Sequence, residues 1–226
     1  MMTLSESVFD IYTDEYEEWF ERNKFAYLSE LELLKSVIPE SGYGLEIGVG
    51  TGIFAAPLGI GFGIDPSNNM LQIAQKRNIR VVLSKGEHIP FRDEIFDHVA
   101  IIVTICFVDE PDLVLKESLR VIKNNGRIFI GFIDKDSWLG KIYLAKKHKS
   151  KFYKDAKFYS TKEIIELLKN NSFIDISIYQ TIFDPPDTIK NIQHFREDFG
   201  EGGFIVICGQ KNNRNGEIDD YLSSQR

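Results

Sequence analysis

The sequence predicts an α/β chain in which a mostly parallel sheet carries helices on both faces. Three observations lead there. An apolar segment, Leu45-Glu46-Ile47, runs into alternate glycines at Gly48, Gly50 and Gly52. A second, Phe62–Ile64, ends in a carboxylate, Asp65. A third, Val99 to Val108, is apolar almost throughout, as a parallel strand buried on both faces must be. Strand-like runs separated by helical periodicity are the pattern of a sheet built from crossover units.

With 226 residues, 43% hydrophobic and 27% charged, the chain suits one folded unit with a sizeable core. The expected division is a helical cap over 1–40, a ligand-binding α/β domain over 41–210 and a polar, disordered tail over 211–226. A net charge of −7 gives no global reason to expect nucleic acid. The two cysteines, Cys106 and Cys208, lie in apolar runs and read as buried, reduced thiols. No apolar run reaches the roughly 18 residues of a membrane span. The first residues, Met-Met-Thr-Leu-Ser-Glu, are acidic where a secretion signal is basic, so the expected compartment is the cytoplasm.

Taken in order, residues 7–37 have helical periodicity: Val8, Phe9, Tyr12, Tyr16, Trp19 and Phe20 recur at three- and four-residue steps. A second helix is expected from Lys24 to Val37, before Pro39. The Tyr12–Tyr16–Trp19 stripe suits either packing on the sheet or a lid over a ligand. Ser41 to Gly44 reads as a turn, followed by the first strand. Glycine lets the backbone turn sharply and approach a ligand closely. A short helix is expected after Gly52, ending at Gly59-Ile60-Gly61, with its free N–H groups facing the ligand. Asp65, thirteen positions after Gly52, can accept hydrogen bonds from a ribose diol. Ser67 suits the N-cap of a helix through Met70 to Lys76.

Val81–Leu83 is the third strand, and Ser84 to Phe91 the loop after it. Pro111 to Ile122 reads as a helix, with Gly126 supplying a positive φ beyond its C-terminus. Arg127 to Ile133 is the fifth strand. Ser160-x-x-Glu163 is a capping box opening a helix to Lys169. Ile174–Phe183 and Gly203–Gly209, with no long helix between them, read as an antiparallel pair. The 184–202 connection, with His194, Phe195 and Arg196, is placed to touch a substrate. Residues 141–157 hold seven lysines against one acid, Asp155. That stretch is either a solvated face or a site for acidic substrates or RNA phosphates.

The glycine spacing, G-x-G-x-G, lacks the last glycine of the dinucleotide fingerprint, since Ile53 stands there. Glu46 precedes the first glycine by two residues, where a cationic amino-acid group suits the site better than a pyrophosphate. Leu45 to Gly52 resembles motif I of the class I S-adenosylmethionine-dependent methyltransferases. Gly63 to Met70, G-I-D-P-S-N-N-M, resembles the next motif of that family, and Phe96-Asp97-His98-Val99 its fourth-strand motif. The resemblance covers Leu45 to Ile133 motif by motif. It implies a Rossmann-like fold with a seven-stranded sheet whose last two strands form the antiparallel hairpin, under an N-terminal helical cap.

The resemblance implies S-adenosyl-L-methionine as the cofactor. Glu46, Gly48, Gly50, Thr51 and Gly52 would lie about its methionine part, and Asp65 with Pro66 at the ribose. Met70, Gly86 and Glu87 would lie near adenine, with Ile105 facing the sulfonium. Two departures from the family stand out. Lys85 occupies a position where relatives often place an aspartate. Cys106 and Phe107 stand where small-molecule enzymes commonly carry a histidine pair. No catalytic residue is assigned; Cys106, His88 and the N-terminal tyrosines are candidates only. Zinc-ligand spacing, a P-loop and G-x-S-x-G are absent from the sequence. So is N-P-P-[YF] after strand four, which points away from adenine-N6 and glutamine acceptors. The expected acceptor is a small molecule, with RNA or protein kept open and the oligomeric state unread. The competing readings are a non-catalytic cofactor-binding subunit and an NAD(P)-dependent oxidoreductase.

Overall fold

The computed structural model describes residues 8–212. Three helices open the chain: α1 (Val8–Ile11), α2 (Thr13–Arg22) and α3 (Lys24–Val37). There follow β1 (Gly44–Ile47), β2 (Phe62–Asp65), α4 (Asn68–Lys76), β3 (Arg80–Leu83), β4 (Phe96–Ile102), α5 (Pro111–Val121) and β5 (Ile122–Ile133). The last third holds α6 (Trp138–Lys146), α7 (Thr161–Asn170), β6 (Phe173–Thr181), β7 (Arg196–Glu197) and β8 (Phe204–Lys211). The strands form one sheet in the order β3-β2-β1-β4-β5-β8-β6-β7. β1 to β5 are mutually parallel, and β8 runs antiparallel to both β5 and β6.

The chain moves outward from β1 to β3, then returns to β4 on the other side of β1. That reversal opens a crevice beyond the carboxyl ends of β1 and β4, where open α/β sheets bind ligands. Register fixes the partners, with Leu45 opposite Phe62 on one side and Val99 on the other.

Strand alternation divides the core in two. Val99, Ile101, Ile128 and Ile130 face α5 and α7, whereas Ala100, Ile102 and Phe129 face the side bearing α3 and α4. Because both faces are covered, β4 is apolar almost throughout, as its sequence predicts. The Ser160 capping box is present: Glu163 N–H donates to Ser160 Oγ, and Ser160 N–H donates to Glu163 Oε2 at 2.7 Å. Ser67 caps α4, its Oγ accepting from Met70 N–H at 3.2 Å.

The structure departs from the sequence reading at several points. The sheet has eight strands rather than seven, because Arg196–Glu197 adds a two-residue edge strand to β6. The helix expected after Gly52 is instead a run of turns over 51–59. Gly59, at φ +70°, closes the run as Ile60 N–H reaches back to Ala55 O. The site therefore has no extended helix dipole behind its first glycines. β4 stops at Ile102 rather than running on through the apolar residues to Val108. Val103 takes φ +53°, and Phe107 N–H closes a turn on Thr104 O at 2.8 Å. α5 passes straight into β5, and the positive φ nearby belongs to Asn125 at +62°, not to Gly126. Gly126 is needed for space, since an added Cβ would lie 2.7 Å from Asp97 O. Lys211 ends β8, and from 213 onward the expected tail lies outside the described residues. Among the described residues no helix is long and apolar enough to cross a membrane.

Candidate functional site

A cavity of about 260 Å³ lies beyond the carboxyl ends of β1, β2 and β4. The loop after β1 forms part of its floor. Gly48, Gly50 and Gly52 all take positive φ, at +70°, +52° and +77°. Gly48 N–H and Val49 N–H both donate to Ile64 O, at 2.8 and 3.0 Å, which ties the loop to β2. The three glycines differ in what they meet. A Cβ on Gly48 would lie 2.2 Å from Thr104 Cγ2, and one on Gly52 would lie 2.3 Å from Ile79 Cδ1. A Cβ on Gly50 would meet nothing nearer than the Tyr16 hydroxyl at 3.7 Å, because that glycine faces the cavity. Gly48→Ala combines a left-handed φ with overpacking, so it is expected to destabilise the fold by about 2–4 kcal/mol. Urea unfolding checks this; a loss below about 1 kcal/mol would contradict it.

Asp65, at the end of β2, joins this loop to the next. Its Oδ2 accepts from Gly50 N–H at 2.9 Å and its Oδ1 from Ser67 N–H at 2.8 Å. Burial raises its pKa to about 6, against the lowering effect of those two hydrogen bonds. Each oxygen keeps a lone pair for a hydroxyl donor. Pro66 and Met70 line the same wall, Met70 at 1% exposure. Glu46 is 2% exposed, and its Oε2 has no hydrogen-bond partner among the described residues. Burial and the nearby Asp65 carboxylate push its pKa well up, against the Ala55 backbone N–H that lowers it. Glu46 sits behind the cavity wall rather than on it.

Past β3, Lys85, Gly86 and Glu87 line the cavity. Gly86 has no room for a side chain, since a Cβ would lie 2.8 Å from Ile47 Cγ2. Glu87 Oε1 accepts from Asp109 and Glu110 N–H at 2.9 and 3.2 Å, so this carboxylate anchors the entry to α5. Lys85 pairs with Asp109 at 2.9 Å.

Some candidates lie elsewhere. The Thr51 hydroxyl donates to Glu17, which also binds Arg77 at 2.5 Å; Thr51 and Gly52 thus stand behind the wall. Ile105 is 1% exposed and packs in the α5/α7 core, because the chain has already turned after Ile102. Val103, Thr104 and Phe107 line the cavity instead. Val103 is β-branched at a positive φ, a strained backbone of the kind that gathers at ligand sites. His194 is exposed and paired with Glu32 at 2.9 Å, and Arg196 is paired with Glu201, so neither reaches the cavity. Of the 184–202 connection, Pro186 lines it.

The outer half is aromatic. Phe9, Tyr16, Trp19 and Phe20 come from α1 and α2, as the N-terminal stripe suggests. Tyr12 turns to the outer side, 6.4 Å from Phe152 and 4.2 Å beneath Lys151 Nζ. Phe152, Tyr153 and Tyr143 close the opposite wall. Phe9 packs on Phe107 and Phe152 at ring separations of 5.1 and 5.5 Å, joining the two walls. Sequence reasoning misses Phe152 and Tyr153 because they stand in the lysine run, where charge was the visible signal. It also misses Glu30, a single acid within an amphipathic helix, which is 4% exposed and lines the cavity.

Comparison with known proteins shows the family. Residues 45–130 match the model of a methyltransferase domain. An uncharacterized protein of Methanocaldococcus jannaschii is 50% identical over 205 residues, covering 91% of this chain and 99% of that one. An uncharacterized protein of Mycobacterium tuberculosis is 33% identical over 184 residues; the match covers 80% of this chain and 65% of the longer mycobacterial one. A crystal structure from Thermotoga maritima superposes with a TM-score of 0.88 at 43% identity, covering 91% of this chain and 98% of that one. That structure is described as a SAM-dependent methyltransferase, possible histamine N-methyltransferase. The motifs around Gly48 and Asp65, the sheet order and this likeness along nearly the whole chain place the protein in the class I S-adenosylmethionine-dependent methyltransferases.

Proposed function

We propose that this chain transfers a methyl group from S-adenosyl-L-methionine to a small-molecule acceptor by direct in-line displacement. The observation that carries the reading is a single cavity with two unlike halves. One half has the glycine loop and Asp65, with the half-satisfied Glu46 carboxyl behind its wall; the other is walled by aromatic rings.

The residues fit the cofactor. Asp65 would accept from the ribose hydroxyls, and Gly48 and Gly50 would let the methionine part lie against bare backbone. The unpartnered Glu46 oxygen offers an acceptor behind that loop, and a cationic amino-acid end would favour its ionised form. Pro66, Met70, Gly86 and Glu87 would hold the adenine end. Thr51, Gly52 and Ile105 would act at one remove, by holding the loop and the end of β4. Bound there, the cofactor supplies an activated methyl group on a sulfonium sulfur. The protein's part is to orient an acceptor against it and keep water away, which the rings from α1, α2 and the 151–155 segment are placed to do.

Cys106 is a poor nucleophile, since burial pushes its thiol up to about 12. The middle of the lysine run belongs to the cavity wall. Lys151 is spent on Glu15 at 2.8 Å, and Phe152 and Tyr153 turn inward. The Thermotoga protein's description, a possible histamine N-methyltransferase, points to a small acceptor. An oxidoreductase has little in its favour, because the dinucleotide glycine is absent and β8 runs antiparallel between β5 and β6.

Calorimetric titration with S-adenosylhomocysteine, with NADH as control, tests the cofactor half. Saturable binding in the micromolar range is expected. Binding of NADH instead, or of neither, would overturn the reading.

A further inference from the structure

We propose that Glu30 is the acceptor-binding residue and that the acceptor is a small amine, held as its ammonium against this carboxylate and methylated on nitrogen. The inference rests on the methyltransferase reading above and concerns the aromatic half of the same cavity.

Glu30 lies on α3 at 4% exposure and lines the cavity. Among the described residues none gives its carboxylate a hydrogen bond or an opposite charge. Burial penalises an unpaired carboxylate, so a cation entering from the cavity is the partner that would let Glu30 ionise. The groups close enough to feel its charge are phenols: Tyr16 from α2, Tyr143 from α6 and Tyr153 from the following turn, which line the cavity, and Tyr27 from α3 itself, whose hydroxyl donates to Ile53 O. Burial raises all four hydroxyls further above neutrality, so none of them supplies charge. Asp187 acts on Tyr143 from the 182–203 segment and adds only negative potential.

An anionic acceptor would be repelled here, and a neutral one would leave the carboxylate without its counter-charge. A cation satisfies it, and ring faces attract cations in addition. Tyr143 and Tyr153 lie 5.4 Å apart between centroids, and Phe107 stacks on Tyr153 at 5.6 Å, so the walls suit a flat apolar body behind the ammonium.

The chemistry balances without another reagent. The ammonium gives one proton to Glu30, leaving a neutral amine and a carboxylic acid. The nitrogen lone pair then forms the N–C bond while the methyl–sulfur bond breaks, its electron pair staying on sulfur. The product is the N-methylated ammonium, and Glu30 holds its proton after product leaves, giving it up to solvent when the next ammonium binds. Burial alone raises the Glu30 carboxyl to about 8, which suits a group that must take a proton from an ammonium near neutral pH.

The test measures binding of phenethylamine and histamine to the protein saturated with S-adenosylhomocysteine, against phenethyl alcohol and phenylacetate. Methyl transfer from radiolabelled S-adenosylmethionine and its pH profile are followed in parallel. The ammonium compounds should bind, and the alcohol and the carboxylate should not. Glu30→Gln should weaken ammonium binding at least ~30-fold and lower kcat/KM by ~100-fold or more, with S-adenosylhomocysteine affinity kept within about threefold. Should that variant fail to fold, Phe152→Ala serves, with an expected ~10-fold loss of ammonium binding. The proposal is overturned if alcohol or carboxylate binds as well as the amines, or if no amine binds while S-adenosylhomocysteine does. It is also overturned if Glu30→Gln leaves amine binding unchanged or abolishes S-adenosylhomocysteine binding. Failure of the wild-type protein to bind S-adenosylhomocysteine would sink the methyltransferase reading itself.

Discussion

Asp65→Ala is expected to weaken S-adenosylhomocysteine binding by about 100-fold or more, roughly 2.7 kcal/mol. Two effects act together. The variant removes a carboxylate able to accept from two hydroxyls, and hydrogen bonds to charged groups are worth about 1.5–3 kcal/mol each. It also unties Gly50 N–H from Asp65 Oδ2 and Ser67 N–H from Oδ1, so the glycine loop and the start of α4 lose their common anchor. Stability should change far less than affinity. Those two lost hydrogen bonds are offset by removing a carboxyl that burial already holds at about 6, a cost of roughly 3 kcal/mol at neutral pH. Titration calorimetry and thermal unfolding on one sample separate the two effects. Affinity within threefold of wild type would remove Asp65 from the binding site.

How legible such a site is depends on the kind of constraint each residue obeys. The glycine loop, Asp65, Pro66, Met70, Gly86 and Glu87 are readable because they sit at strand ends within local motifs. Local spacing along a strand–turn unit fixes where they point. The parallel sheet is readable for a similar reason, as Val99 to Ile102 must be apolar on both faces. Ile105 shows where such reasoning stops. Its position depends on Val103 adopting φ +53°, a conformation that no propensity favours for valine and that the surrounding structure imposes. The run of turns after Gly52 is a similar case, since thirteen positions between Gly52 and Asp65 leave little room for a regular helix. The aromatic chamber brings α1, α2 and α3 together with α6 and the 151–155 segment, which lie more than a hundred residues further along the chain. Glu30 and Tyr153 become neighbours through the fold alone, and neither carries a local signal. The half of the cavity nearest the sheet was thus written in motifs, and the half above it in packing.

The packing around both halves leads to a second large effect, an inverted pH dependence of stability. Glu30, Glu46 and Asp65 are all buried, and all three bind their protons more tightly than an exposed carboxyl does. Above about pH 4.5 the folded state therefore holds protons that the unfolded chain has released, and the contribution of these three groups to stability falls as pH rises. For Asp65 the loss runs from its ordinary value near 3.8 up to about 6, and for Glu30 from 4.5 up to about 8. The slope is at most about 1.4 kcal/mol per pH unit for each group. Discounting by about half for relaxation leaves roughly 2 kcal/mol between pH 5.5 and 8 from Glu30, which is about 4–8 °C in Tm for a chain of this size. Glu30→Gln should remove that part of the slope and raise Tm at pH 8. Coincident wild-type and variant curves would show that Glu30 is ionised or solvated in the free protein. Ligand binding should reverse the trend for Glu46. A cationic amino-acid group brought near its free oxygen favours the carboxylate, so S-adenosylhomocysteine binding should release close to one proton below the raised Glu46 pKa. Its apparent affinity should then tighten by up to tenfold per pH unit. Calorimetry in buffers of different ionisation enthalpy measures that proton directly. In Glu46→Gln the release should vanish, whereas release that survives the substitution would place the proton on another group.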